Sequence, residues 1–246
     1  MGLGIRRFII KQMRKSGFDI VKYPNEDLER RLFIIKYCKI NKLFDIGGNK
    51  GQYALLMREL GLDMNIVSFE PLSSAFEVLQ KISQKDKNWI VNNYALGNEN
   101  KVSKINIAAN SESSSILDML PSHFKSAPYS KYIDTETIEI KKLDSVFDSF
   151  YQSEDKTMLK IDTQGYEKLI LDGAEKSLEK ISLIQLEMST IPLYNKETLY
   201  LEMINFLSEK NFELFALETN FINPKSGKLL QLDGLFVNSN LVENPD

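Results

Sequence analysis

The chain lacks the means to build several common kinds of protein. It holds one cysteine, Cys38, in 246 residues, so neither an intramolecular disulfide nor a cysteine-based zinc site can form. It holds one histidine, His123, so an imidazole base can come from that position alone. No apolar run approaches the roughly 20 residues that cross a bilayer, and the N-terminus has no apolar core followed by a small-residue cleavage site. These features fit a reducing, cytoplasmic setting. A net charge of −3 speaks against a dedicated nucleic-acid binder, and no nucleic-acid partner is expected. Two nucleotide signatures are also missing. G-x-G-x-x-G needs a glycine two places after the first, but Gly47 and Gly48 lead into Asn49 and Lys50. No Gly-Lys-Ser/Thr follows to make a phosphate-binding loop.

What is present describes a globular domain: 43% hydrophobic and 26% charged residues, at a length within the single-domain range. From residue 42 apolar runs alternate with helical patterns, which predicts an α/β fold. Strands are expected at 42–46, 66–70, 89–94, 158–162, 183–187, 212–217 and 229–237. Helices are expected at 52–60, 73–83, after the strand exit Thr163–Glu167 and stopping near Gly173, and at 196–210. The tight turn Asn223–Gly227 forces the last two strands antiparallel, so the sheet is mixed, with an antiparallel C-terminal hairpin. Residues 1–40 form a helical N-terminal extension, with helices at 3–15 and 26–38 and Asn25 as an N-cap; residues 41–240 form the main domain. Residues 1–42 hold eleven Lys+Arg against four Asp+Glu. On the first helix Arg7, Lys11, Arg14 and Lys15 share one face, and Ile5, Phe8 and Ile9 share another. The helix is read as packed on its own domain or on a second subunit, with a solvated basic face. Contact of residues 1–15 with a membrane surface or an acidic partner is the less favoured reading.

The chain is organised around Lys42–Gly51 taken with Glu70. A strand, a glycine turn, a helix and a second strand ending in a carboxylate make half of a nucleotide-binding unit. Glu70, 19 residues beyond Gly51, is placed to accept hydrogen bonds from a ribose diol. The pattern D-x-G-x-N-x-G, met by Asp45, Gly47, Asn49 and Gly51, resembles the donor loop of S-adenosylmethionine-dependent methyltransferases. An ordered set of further stretches resembles the FkbM-type methyltransferase family: Phe69-Glu-Pro71, Ser113-Ser-Ser-Ile116, Leu159-Lys-Ile-Asp-Thr-Gln-Gly-Tyr-Glu167, Gln185-Leu-Glu187 with Pro192-Leu-Tyr194, and Gln231-Leu-Asp-Gly-Leu-Phe-Val237. The resemblance covers about residues 40–238. It implies a seven-stranded Rossmann-like class I methyltransferase fold, S-adenosyl-L-methionine as donor, and a hydroxyl acceptor on a sugar, polyketide or similar scaffold. The acceptor is therefore expected to be a small molecule or a glycan.

Ligands of open α/β sheets lie outside the carboxyl ends of the strands. Asp45, Gly47, Asn49, Gly51, Glu70 and Asp162 are expected to hold the donor there, and the resemblance adds Asn93, Ala95 and Leu96 beside the adenine. Tyr166 and Glu167 are expected to shape the helix start. An alcohol acceptor must lose its proton, so a base is needed; the candidates are His123, Asp162 and Glu187. A divalent cation between Asp162 and Glu187 would polarise the hydroxyl, but two acids are a thin basis for a metal site and none is predicted. The long excursion 98–142 is read as a substrate cover, with strands at 102–108 and 137–141 and the Ser113–Ser115 hydroxyls available to a ligand. Competing readings are a nicotinamide-dependent oxidoreductase and a non-catalytic ligand-binding module. A homo-oligomer is compatible with the sequence.

Overall fold

A computed structural model describes residues 3–20 and 22–242. The chain divides into two compact units, residues 1–34 and 35–246.

The first unit contains α1 (Leu3–Lys15) and most of α2 (Glu26–Tyr37). The N-terminus of α2 is capped as expected: Leu28 N donates to Asn25 Oδ1 at 2.9 Å, and Glu26, Asp27 and Glu29 crowd its positive end. Ile5, Phe8, Ile9 and Met13 of α1 are all exposed.

The second unit is built on a seven-stranded sheet. Its elements in chain order are β1 (Lys42–Ile46), α3 (Gln52–Glu59), β2 (Asn65–Phe69), α4 (Ser73–Ser83), β3 (Trp89–Asn92), β4 (Ala95–Leu96), β5 (Lys101–Ala108), α5 (Pro121–Ser126), β6 (Tyr132–Lys141), α6 (Leu143–Val146), β7 (Thr157–Ile161), α7 (Glu167–Asp172), β8 (Ile181–Ser189), α8 (Tyr200–Glu209), β9 (Phe212–Ile222) and β10 (Leu229–Asn238). The strand order is β3-β2-β1-β7-β8-β10-β9. The first five run parallel, and β10 is antiparallel to both β8 and β9. This is the mixed Rossmann-like sheet with an antiparallel C-terminal hairpin that the sequence led us to expect.

The central strands are buried along their whole length, which is why they read as near-continuous apolar runs rather than alternating ones. Phe44 on β1 stacks on Phe69 and on Phe147, with ring centroids 6.2 and 4.9 Å apart. Helices cover the sheet with short apolar stripes: Ala54 and Met57 from α3, Ala75 and Leu79 from α4, Met203 and Leu207 from α8.

The structure departs from the predicted elements in several places: α5, α6 and β4 are not among those expected, β3 stops at Asn92 rather than 94, and β9 runs to Ile222, five residues past the predicted 217. The excursion forms a second, three-stranded sheet, β4-β6-β5. Strand β6 begins at Tyr132, five residues ahead of the predicted 137, because it pairs with the whole of β5. The helix expected at 196–210 begins at Tyr200; before it, Glu197 accepts the backbone N–H groups of Leu193 and Tyr194 and holds a turn.

Candidate active site

The parallel strands β1, β2, β7 and β8 end on one edge, and a cavity of about 540 Å³ opens there, within the range of small-molecule sites. One wall is the loop after β1. The N–H groups of Gly47 and Gly48 both donate to Phe69 O at 3.0 Å, tying the loop to the end of β2. Gly47 has φ +76°, and a Cβ there would lie 1.9 Å from Asp162 O, so only glycine fits between the β1 and β7 ends. Gly51, at φ +90°, would drive a Cβ to 2.8 Å from the Trp89 ring. It lets the loop enter α3 while Trp89 packs beneath and donates from Nε1 to Ser68 Oγ at 2.9 Å.

Glu70 lies at the mouth of this loop and is buried. Its Oε2 accepts Asn49 N and its Oε1 accepts Leu72 N, each at 2.8 Å. Burial pushes its carboxyl up to about 7, against the pull of those two backbone donors. Ala95 and Leu96 lie beside it in the cavity wall. Asn93 points elsewhere: its amide donates to the carbonyls of Glu70 and Pro71 at 3.0 and 3.1 Å, bracing the turn after β2 from outside the cavity lining.

Asp45 is fully buried behind the loop rather than in the lining. Its Oδ2 accepts from Ser68 Oγ at 3.0 Å, and its Oδ1 has no hydrogen-bond partner. The compensating charge is Lys160, its register partner on β7. The Lys160 ammonium lies 3.4 Å from Asp45 Oδ1, 3.6 Å from Asp162 Oδ2 and 3.4 Å from Gly47 O. Burial opposes the charge, but Asp162 and Asp45 outweigh it and hold the ammonium above its ordinary range. Sequence reasoning did not name Lys160 as a site residue. The available signal was a lysine inside the otherwise apolar run Met158–Ile161, where a charge needs a buried partner.

The other end of the cavity is acidic and rich in amides. Glu187 on β8 is buried and accepts from three of them: Gln164 Nε2 at 2.6 Å, Gln231 Nε2 at 2.8 Å and Asn220 Nδ2 at 2.9 Å. Burial, with Asp162, Asp233 and Glu167 nearby, holds its carboxyl well above the ordinary carboxylate range. Gln164 also donates to Asp162 Oδ1 at 3.1 Å, and its Oε1 accepts from the Tyr194 hydroxyl at 2.7 Å. Glu167 closes the turn behind, accepting the Thr163 and Gly165 N–H groups at 2.9 and 3.1 Å.

His123, on α5, is buried at the cavity edge. Its Nδ1 is 2.9 Å from Ser130 Oγ, and its Nε2 is 3.2 Å from the Tyr194 hydroxyl. The Ser130 and Tyr194 hydroxyls donate to Ala127 O and Gln164 Oε1, so the two oxygens compete for the one proton of the neutral ring. Burial lowers the imidazole to about 4, so it is neutral near pH 7. Part of the Ser113–Ser115 run is spent on structure: Ser115 Oγ donates to Gln164 O at 2.7 Å, and Ser114 Oγ accepts Ala108 N at 3.0 Å. Ser111 Oγ donates to Asn49 Oδ1 at 3.2 Å, so the excursion leans on the glycine loop.

The structure thus brings Gly47, Asn49, Glu70, Ala95, Leu96, His123, Asp162 and Glu187 into one cavity lining, with Asp45, Gly51 and Asn93 supporting it from behind. Among the described residues no group of three or more His, Cys, Asp or Glu side chains is arranged to hold a metal ion. The cavity fits S-adenosylmethionine on its own features: the Glu70 carboxyl as an acid for a diol, Ala95 and Leu96 as an apolar wall for a purine, and a glycine loop that brings bare backbone to the lining.

Three comparisons with known proteins bear on identity. The model of the FkbM methyltransferase domain matches residues 45–214. No curated protein matches the chain. Solved structures similar in fold include the FkbM methyltransferase from Methylobacillus flagellatus KT (15% identity, TM-score 0.48, 79% of this chain and 43% of that one). TehB from Haemophilus influenzae is also similar (9% identity, TM-score 0.45, 84% and 60%). A third is the 1,6-didemethyltoxoflavin-N1-methyltransferase from Burkholderia thailandensis, solved with S-adenosylhomocysteine (7% identity, TM-score 0.47, 95% and 87%). The chain spans 43% of the first of these and 60% of the second. The family match covers well over half of the chain and contains the glycine loop, Glu70, Lys160 and Glu187; the protein therefore belongs to the FkbM methyltransferase family.

Proposed function

We propose that the chain transfers a methyl group from S-adenosylmethionine to a hydroxyl of a small or carbohydrate-containing acceptor. The reading rests on the meeting of two unlike halves in one cavity. The glycine loop and Glu70 form one end, and Glu187 among the amides of Gln164, Gln231 and Asn220 forms the other. When bound, the donor supplies a methyl already activated on a sulfonium, so the protein has to align the reactants and remove a proton. Alignment alone is worth about 7–11 kcal/mol. Glu70 accepts the ribose diol, Ala95 and Leu96 back the adenine, and the amide-rich end suits a hydroxyl-bearing ligand.

Of the three candidate bases, Glu187 fits best. Burial, with Asp162, Asp233 and Glu167 nearby, raises its proton affinity, and a carboxylate of higher proton affinity is the stronger base. Its Oε1 takes one amide hydrogen bond, which leaves a lone pair for the acceptor hydroxyl. His123 is a weak base with both ring nitrogens engaged; it forms the wall against which the acceptor rests. Asp162 stays beside Lys160 and orients Gln164.

The test follows labelled methyl transfer to a panel of simple glycosides. Glu187→Gln should lower turnover by about 10²–10⁴-fold and leave calorimetric affinity for S-adenosylhomocysteine unchanged. His123→Asn should weaken acceptor binding more than it slows turnover. Wild-type turnover in Glu187→Gln removes Glu187 as the base, and a wild-type protein that fails to bind S-adenosylhomocysteine removes the whole reading.

A further inference from the structure

The active site does not account for α1. Over Leu3–Lys15 its charged side chains are all basic, and residues 1–18 contain five Lys+Arg and no Asp or Glu. The other 228 residues hold 26 basic against 34 acidic side chains. At helical spacing Arg7, Lys11, Arg14 and Lys15 share one face, while Ile5, Phe8, Ile9 and Met13 share the opposite one. A surface helix normally buries such an apolar face. Here Phe8 is 62% and Ile5 is 59% exposed, and Ile9 and Met13 are exposed as well. The apolar surface continues past the helix end, with Phe18 and Ile20 also exposed. Among the described residues no helix is long and apolar enough to cross a membrane, so a helix of this kind lies along a surface rather than through it.

We infer that α1 docks this protein onto an anionic lipid surface, with Ile5, Phe8, Ile9 and Met13 seated at the headgroup–acyl boundary. Charge complementarity selects this occupant. The basic face presents Arg7, Lys11, Arg14 and Lys15, of which Arg14 is paired with Asp19 at 3.0 Å, and a second copy of α1 has no acid on its own helix to offer the others. An anionic bilayer offers apolar depth to one face and phosphates to the other. A helix is about 10 Å across, so even the cations on its far side lie about one Debye length from the lipid at physiological salt. Their long aliphatic stems shorten that distance further.

The experiment uses the full chain and sedimented vesicles. One set is phosphatidylcholine alone; the other carries phosphatidylglycerol as about a third of the lipid. Protein should co-sediment with the anionic vesicles at low salt, remain in solution with phosphatidylcholine, and be released near 0.5 M salt as screening shortens the reach of the charges. Phe8→Glu and the pair Arg7→Glu with Lys11→Glu should each cut partitioning by roughly tenfold or more. Because these side chains are exposed, the variants should keep the wild-type circular-dichroism melt and affinity for S-adenosylhomocysteine. Wild-type protein left in solution with anionic vesicles overturns the inference. So does Phe8→Glu binding vesicles as well as wild type. Light scattering that finds a dimer which Phe8→Glu breaks, without vesicle binding by the wild type, assigns the face to a second copy and also overturns it.

Discussion

Replacing Gly47 with alanine tests how the donor loop is held. At this position a Cβ would stand 1.9 Å from Asp162 O, whereas real Cβ atoms essentially never approach closer than 3.0 Å. The loop or the β7 end must therefore move by at least about 1.1 Å, and neither contact atom is the end of a flexible side chain. The left-handed backbone at φ +76° adds a cost of about 1–2 kcal/mol for any L side chain. A displacement of about 1 Å at a site that works by alignment costs on the order of 10²-fold. Gly61→Ala is the control. Its φ of +78° is nearly the same, but nothing lies within 4 Å of its Cβ. Gly61→Ala should therefore lose only about 1–2 kcal/mol of stability and bind S-adenosylhomocysteine as the wild type does. Gly47→Ala should lose about 10²-fold or more in calorimetric affinity, beyond what its urea melt explains. If the two variants melt alike and bind alike, the close approach of the β1 and β7 ends does not shape the donor site.

Two further outcomes follow from the charged groups. Glu70 titrates near 7 in the folded protein, and only its ionised form accepts both hydroxyls of a diol. S-adenosylhomocysteine affinity should thus hold above about pH 7 and fall by up to tenfold per unit below it, and Glu70→Gln should bind weakly with no such slope; an equal wild-type affinity at about pH 6 and pH 8 refutes the assignment. The same raised carboxyl makes Glu70 favour the folded state most when protonated, so its contribution to stability declines as pH rises from about 4.5 to about 7 and is level above that. Lys160→Met strands Asp45 as a buried charge and should lower unfolding free energy by about 3–5 kcal/mol, with Asp45→Asn in the same chain restoring part of it; a urea melt of Lys160→Met matching the wild type would show that the pair contributes nothing.

The sequence by itself determined the order of the main-sheet strands and their covering helices, the mixed sheet and the position of the glycine loop. Apolar runs of strand length, a 3.6-residue period in the helices and glycine at the sharp turn are local properties, and local sterics enforce them. It also placed Glu70, Asp162 and Glu187 on one edge, because a parallel sheet sends every strand end to the same side. Which of those groups line the cavity was decided only in three dimensions. Asp45 and Gly51 stand in the loop motif but serve it from behind, and Asn93 braces a turn. Lys160 became a site residue through its register with Asp45, a pairing of residues 115 apart in sequence. His123 reads as a base in the sequence, and only the fold shows that burial between Ser130 and Tyr194 lowers its proton affinity, while the amide cage around Glu187 draws on β9, β10 and the turn after β7. Desolvation and hydrogen bonding set a side chain's proton affinity, and both depend on neighbours that only the folded chain supplies.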